Sequence, residues 1–92
     1  MRETELQKKS IKLLKEKGWL CIRISTPTSR GLPDVLAISP NGVVVAIEFK
    51  VKKNKQSPLQ EWMQQELERR NIRYFVVRST YEVHLIVNGE LK

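Results

Sequence analysis

Residues 30–50 read RGLPDVLAISPNGVVVAIEFK, and this stretch decides the fold. Val35, Leu36, Ala37 and Ile38 form one apolar run. Val43 to Ile47 form a second, richer in β-branched residues, so both read as strands. Between them lies Ser39-Pro40-Asn41-Gly42. Proline at the second position of a type I turn, then glycine where the backbone needs positive φ, predicts a three-residue hairpin loop. The loop sets a register: Ser39 against Val43, Ile38 against Val44, Leu36 against Ala46, Asp34 against Glu48. Directly opposed residues of an antiparallel pair share a face, with Cβ atoms roughly 4.5–5.5 Å apart. Lys50 lies two residues past Glu48 and shares that face.

Acids facing each other across strands are destabilising, and buried charge needs a partner or a metal. Taken singly, Asp34 reads as a turn residue, and Glu48 with Lys50 as a solvated surface pair. The register that brings them together favours a site for a divalent cation. Oxygen ligands of this kind suit Mg²⁺ or Mn²⁺.

Pro33-Asp34 followed by Glu48-Phe49-Lys50 resembles the PD-(D/E)xK nuclease core. Gly31-Leu32-Pro33-Asp34, Ile47-Glu48-Phe49-Lys50 and Ser57-Pro58-Leu59-Gln60 together are similar to its VRR-NUC branch, over nearly the whole chain. The resemblance implies an α/β, restriction-endonuclease-like fold, a mixed β-sheet flanked by helices in the order α-β-β-β-α-β-α. It implies Asp34 and Glu48 as ligands of Mg²⁺ or Mn²⁺, with the Phe49 main-chain carbonyl as a third. Lys50 would orient the attacking water and stabilise charge in the transition state. Gln60 would lie beside the metal site. In VRR-NUC proteins a glutamate of the first helix joins the site, with a glutamine four residues later. Glu3 and Gln7 match that spacing, and Glu5 competes with Glu3 for the role. The resemblance further implies a homodimer that cuts branched DNA as a Holliday-junction resolvase does, of the small stand-alone kind found in phages and prokaryotes. The alternatives are a flap or nonspecific DNA nickase of the same fold, and a noncatalytic DNA-binding module.

Ninety-two residues make a single domain, 1–92. A net charge of +7 favours an anionic partner, nucleic acid first and an anionic membrane surface second. The chain has no apolar run of transmembrane length and no signal-peptide pattern. Its one cysteine, Cys21, excludes an internal disulfide framework and suits a reducing compartment, so a soluble cytoplasmic protein is expected. Cys21 reads as a small buried hydrophobe, because the only histidine, His84, lies far away in sequence. So small a domain is marginal alone, and a dimer would add burial.

Residues 3–17 read as a helix with a stripe of Leu6, Ile11, Leu13 and Leu14, ending at Gly18. Glu3 and Glu5 suit the helix dipole, and Lys8, Lys9, Lys12, Lys15 and Lys17 read as a solvated face. Trp19–Ile24 is a short strand in which Arg23 either snorkels or reaches a phosphate. The polar loop Ser25–Gly31 carries Ser25 and Arg30, either a connector or groups for a phosphate backbone. Lys52, Lys53 and Lys55 bring positive charge after the acidic strand, at the mouth of the site or as a solvated loop. Ser57 caps a helix that has Pro58 at its first position and runs to about Arg70. Leu59, Trp62, Met63 and Leu67 share one face of it, with Trp62 and Met63 as core or dimer contacts. Arg73–Arg78 is a strand, parallel to the one ending at Lys50 through a right-handed crossover. Ser79-Thr80-Tyr81-Glu82 fits a capping box for a last helix facing Val83, Ile86 and Val87 inward. A hairpin through Asn88-Gly89 is the alternative.

Overall fold

The computed structural model describes residues 1–24 and 31–89. Its elements are α1 (Glu3–Glu16), β1 (Leu20–Arg23), β2 (Val35–Ile38), β3 (Val44–Phe49), α2 (Pro58–Arg69), β4 (Arg73–Val77) and α3 (Thr80–Val87). This is the α-β-β-β-α-β-α order expected from the sequence.

The turn acts as its residues dictate. Ser39 N–H donates to the Val43 carbonyl at 2.9 Å, and Gly42 N–H donates back to Ser39 O at 2.9 Å. Gly42 has φ +87°, a conformation side chains resist. The resulting register pairs Ile38 with Val44 and Leu36 with Ala46, as the loop predicts. Asp34 lies just before β2 but continues the ladder: its N–H donates to Ile47 O at 3.0 Å and its carbonyl accepts from Ile24 N–H at 2.9 Å.

The sheet has the order β1-β2-β3-β4. The first three strands are antiparallel, while β4 runs parallel to β3 with Glu48 opposite Val76. The parallel pairing requires a crossover, and α2 provides it. Ser57 caps α2 by accepting from Gln60 N–H, with Pro58 in the first turn. At its other end Asn71 takes φ +64°, and Ile72 N–H donates to Leu67 O at 3.0 Å, which turns the chain into β4.

Strand alternation gives the sheet two unlike faces. Val35, Ala37, Val45, Ile47, Phe49, Phe75 and Val77 point to one side, where they join Leu6, Ile11 and Leu14 of α1 and Val83 and Ile86 of α3. This is the core, and each large side chain sealed in it contributes roughly 1.5–3 kcal/mol. Cys21 packs half-buried against it, as a small hydrophobe would. The other side carries Glu48, Tyr74 and α2.

Two expectations change. No residue of α2 is buried, so Trp62, 53% exposed, is not a core residue. The helix rests on β4 and leaves much of its apolar face to solvent. The last segment is the expected helix and not the alternative hairpin, with Val83 and Ile86 buried. Its start is not a capping box, because the Ser79 side chain makes no capping bond. The Glu82 carboxylate instead accepts from Arg78 N–H at 2.7 Å, one residue further back. Among the described residues, no helix is long and apolar enough to cross a membrane.

Candidate active site

The hairpin brings the acidic ends of β2 and β3 together. Asp34 Oδ2 accepts from the Phe49 backbone N–H at 2.8 Å, which fixes the carboxylate beside β3. Glu48 is only 2% exposed. Its Oε2 lies 3.6 Å from Lys50 Nζ, and Lys50 is itself largely covered. Asp34, Glu48 and Lys50 thus meet as the register requires.

The electrostatics follow from burial. The Glu48 carboxyl is pushed up to about 7, first by desolvation and then by the Asp34 charge, with Lys50 opposing. Burial also raises the Asp34 carboxyl, while the Phe49 N–H holds it down. The charge of Glu3, at the start of α1, raises Asp34 as well. Glu3 is positioned by Asn54, whose amide donates to its Oε2 at 3.2 Å. Glu5 is exposed, which favours Glu3 as the helix carboxylate; Gln7 is half-buried one turn further along.

Gln60 links the site to α2. Its Oε1 accepts from Ser57 N–H at 2.9 Å, and its Nε2 donates to Glu48 Oε2 at 2.9 Å. Gly31 explains the close approach of the two elements. It has φ +81°, and a Cβ there would lie 2.6 Å from the Leu59 side chain and 3.0 Å from the Leu59 carbonyl. Only glycine lets the segment leading into Asp34 pass over the first turn of α2.

Tyr74 was not legible as a site residue. It is buried on β4, and its hydroxyl donates to Glu48 Oε1 at 3.4 Å. Asn54 and Tyr74 both escape a motif search. Strand alternation puts Tyr74 on the face opposite Phe75, but only the β3–β4 register says that this is the face of Glu48.

The residues read as phosphate contacts divide. Lys52, Lys53 and Lys55 are exposed on the loop between β3 and α2, and Lys52 is anchored by Arg78, which donates to its carbonyl at 3.2 Å. Arg23 is exposed but pairs with Val35, which points into the core. It therefore sits on the α1 side of the sheet, away from the acids. Ser25 and Arg30 lie outside the described residues.

The donor set fits a hard divalent cation: two oxygen ligands whose mutual repulsion and burial favour a neutralising charge. Among the described residues, no three His, Cys, Asp or Glu side chains form a cluster. The candidate centre is the pair Asp34–Glu48, and Glu3, expected as a further ligand, does not complete a metal-holding group of three with them.

The archaeal Holliday junction resolvase (Hjc) family matches residues 2–83. The chain belongs to the Hjc family. A solved VRR-NUC domain superposes on this Hjc-family chain with a TM-score of 0.82 and 29% identity, covering 94% of each chain. "Putative nuclease p44" of Acyrthosiphon pisum secondary endosymbiont phage 1 is 30% identical over 60 residues. That match takes in 65% of this chain and 64% of the phage protein. The α/β fold read from the sequence is thus that of a VRR-NUC and Hjc-type nuclease family.

Proposed function

We propose that this chain is a metal-dependent, structure-specific DNA endonuclease that cuts branched DNA, a four-way junction first. The observation that carries the reading is the convergence of Asp34, buried Glu48 and Lys50 at the end of the hairpin. A set of two acids and an amine, with further carboxylate and amide groups around it, suits phosphodiester hydrolysis.

Asp34 and Glu48, with the Phe49 carbonyl, would hold Mg²⁺ or Mn²⁺. A cation bound there supplies Lewis-acid polarisation of the phosphate and a more acidic water. Lys50 brings positive charge to the pentavalent transition state and orients the nucleophile. Gln60 and Tyr74 keep the Glu48 carboxylate turned toward the site. Glu3 adds an outer negative charge. Lys52, Lys53 and Lys55 attract the phosphate backbone at the mouth.

The substrate follows from what the chain carries. Among the described residues around the site, charged and amide groups suited to phosphate prevail, so backbone shape is the natural specificity. Two copies would present two sites related by a two-fold axis, matching the two strands of a junction. The face of the sheet that α2 half-covers supports such pairing: Leu20 is 59% exposed, Ile22 44%, Leu59 44% and Trp62 53%.

The test compares cleavage of labelled four-way junction, flap and linear duplex, with and without Mg²⁺. Asp34→Asn and Lys50→Ala should each lower cutting by about 10²–10³-fold or more, with junction binding largely retained. Normal cutting by either variant would end the assignment of the chemistry to Asp34, Glu48 and Lys50. Equal cutting of all three substrates would leave a nonspecific nickase.

A further inference from the structure

A second feature lies on the reverse side of the sheet from the acids. A groove of about 560 Å³ runs between α1 and β1, lined by Lys8, Ile11, Lys12, Lys15, Glu16 and Arg23. Lys8, Lys12 and Lys15 recur at helical spacing, so they project from one face of α1. Like charges at this spacing repel, and the fold gives them little relief. Among the described residues, none of Lys8, Lys12, Lys15 or Arg23 makes an ion pair. Glu16 is the single acid lining the groove, against four cations. Lys15 leans over β1 closely enough for its charge to oppose the upward push of burial on the Cys21 thiol.

The groove is tied to the active site through the β1–β2 ladder, although it opens on the other side of the sheet. Its Arg23 end pairs with Val35, the residue next to Asp34, and Ile24 N–H bonds to the Asp34 carbonyl. Along α1, the charge of Glu3 reaches Asp34, and the lysines lie further down the same helix, on another face of it. The rise from Lys8 to Lys15 is about 10 Å, the axial span of about three phosphates on one strand of B-DNA.

We infer that this groove is a second phosphate-backbone site, which holds a DNA arm on the side of the sheet away from the acids. The inference rests on the reading of this chain as a DNA nuclease. Its chemistry is that of phosphate contacts: mobile ammonium groups and one guanidinium, with the apolar floor of Ile11 setting no base preference. A flat anionic membrane surface would not need a concave wall, and nothing in the groove offers an apolar anchor exposed enough to insert.

The test measures binding to a four-way junction without divalent metal, across a salt series, so that cutting does not enter. The variant is Lys8→Gln/Lys12→Gln/Lys15→Gln, and Arg23→Gln is made separately. Arg69→Gln/Arg70→Gln, at the far end of α2, controls for loss of charge as such. All these side chains are exposed, and a melting curve verifies folding. The triple variant should bind at least about tenfold more weakly, and its salt slope should fall by about 2–3. Arg23→Gln should lower the slope by about 1. The control should stay within twofold of the wild type.

An unchanged slope in the triple variant would overturn the inference. So would equal losses in triple variant and control, or a triple variant that loses binding to phosphatidylglycerol vesicles but not to DNA. A wild-type chain that binds with this groove-dependent slope and never cuts would sink the nuclease reading alone. A chain that cuts junctions with no groove dependence would sink only the inference.

Discussion

Ile47 and Glu48 are consecutive on one strand, equally hidden from water, and opposite in what they do. Ile47 points into the core between the sheet and helices α1 and α3, where it joins the apolar cluster. Glu48 points to the other face, where its carboxylate meets an amine, an amide, a phenol and a second acid. Burial stabilises the first residue and strains the second. The contrast shows how one strand can serve both folding and chemistry: one face supplies the stability that the other draws upon.

The strongest way to break this contrast is on the core side. Ile47→Ala should cost about 2–5 kcal/mol. For a domain this small that is a fall of about 4–8 °C in melting temperature per kcal/mol, read by thermal unfolding. A loss below 1 kcal/mol would mean that the core is not organised around β3.

Next comes Glu48, where the expected effect has the opposite sign. Its carboxyl titrates near 7 when folded, against an ordinary value of 4.5. The folded chain therefore binds the proton more tightly than the unfolded chain. Without metal, stability should fall as pH rises from about 4.5 through 7, then level off, with no contribution from this group below 4.5. Glu48→Gln should remove that slope and make the metal-free chain more stable above pH 7, by up to about 3 kcal/mol. Urea unfolding at pH 5 and pH 8, with a chelator present, measures it. Parallel wild-type and variant curves would show that Glu48 is not strained.

The smallest effect sharpens the picture. The Tyr74 hydroxyl helps hold the Glu48 carboxyl down. Tyr74→Phe should therefore move the acidic limb of the cleavage profile to higher pH, with a stability change of about 1 kcal/mol or less. A profile that does not move would reduce Tyr74 to packing.

The hairpin was legible because its turn is chemically specific. Ser39, Pro40 and Gly42 each fit one backbone requirement, and the register that followed put Asp34, Glu48 and Lys50 on one face. Ser57 and Gln60 were legible for the same local reason. What failed to show depends on pairing at a distance. Tyr74 reaches Glu48 only because the exit of α2 at Asn71 sets the parallel register of β4 against β3. Trp62 lies on an apolar helical stripe, but a stripe does not say whether anything covers it. Ser79 and Glu82 have capping-box spacing, yet the carboxylate found a backbone N–H one residue earlier. Arg23 was read as a phosphate contact, and the sequence did not show which side of the sheet it would occupy.

The amide of Gln60 has a consequence for what can replace it. The Ser57 N–H offers only a hydrogen and the ionised Glu48 only lone pairs, so with Glu48 ionised the oxygen and nitrogen of that amide cannot trade places. Glutamate, nearly identical in shape, would satisfy the serine and confront the neighbouring carboxylate with a third negative group. The onset of a helix and the aim of an acid are thereby locked to one orientation of one planar group.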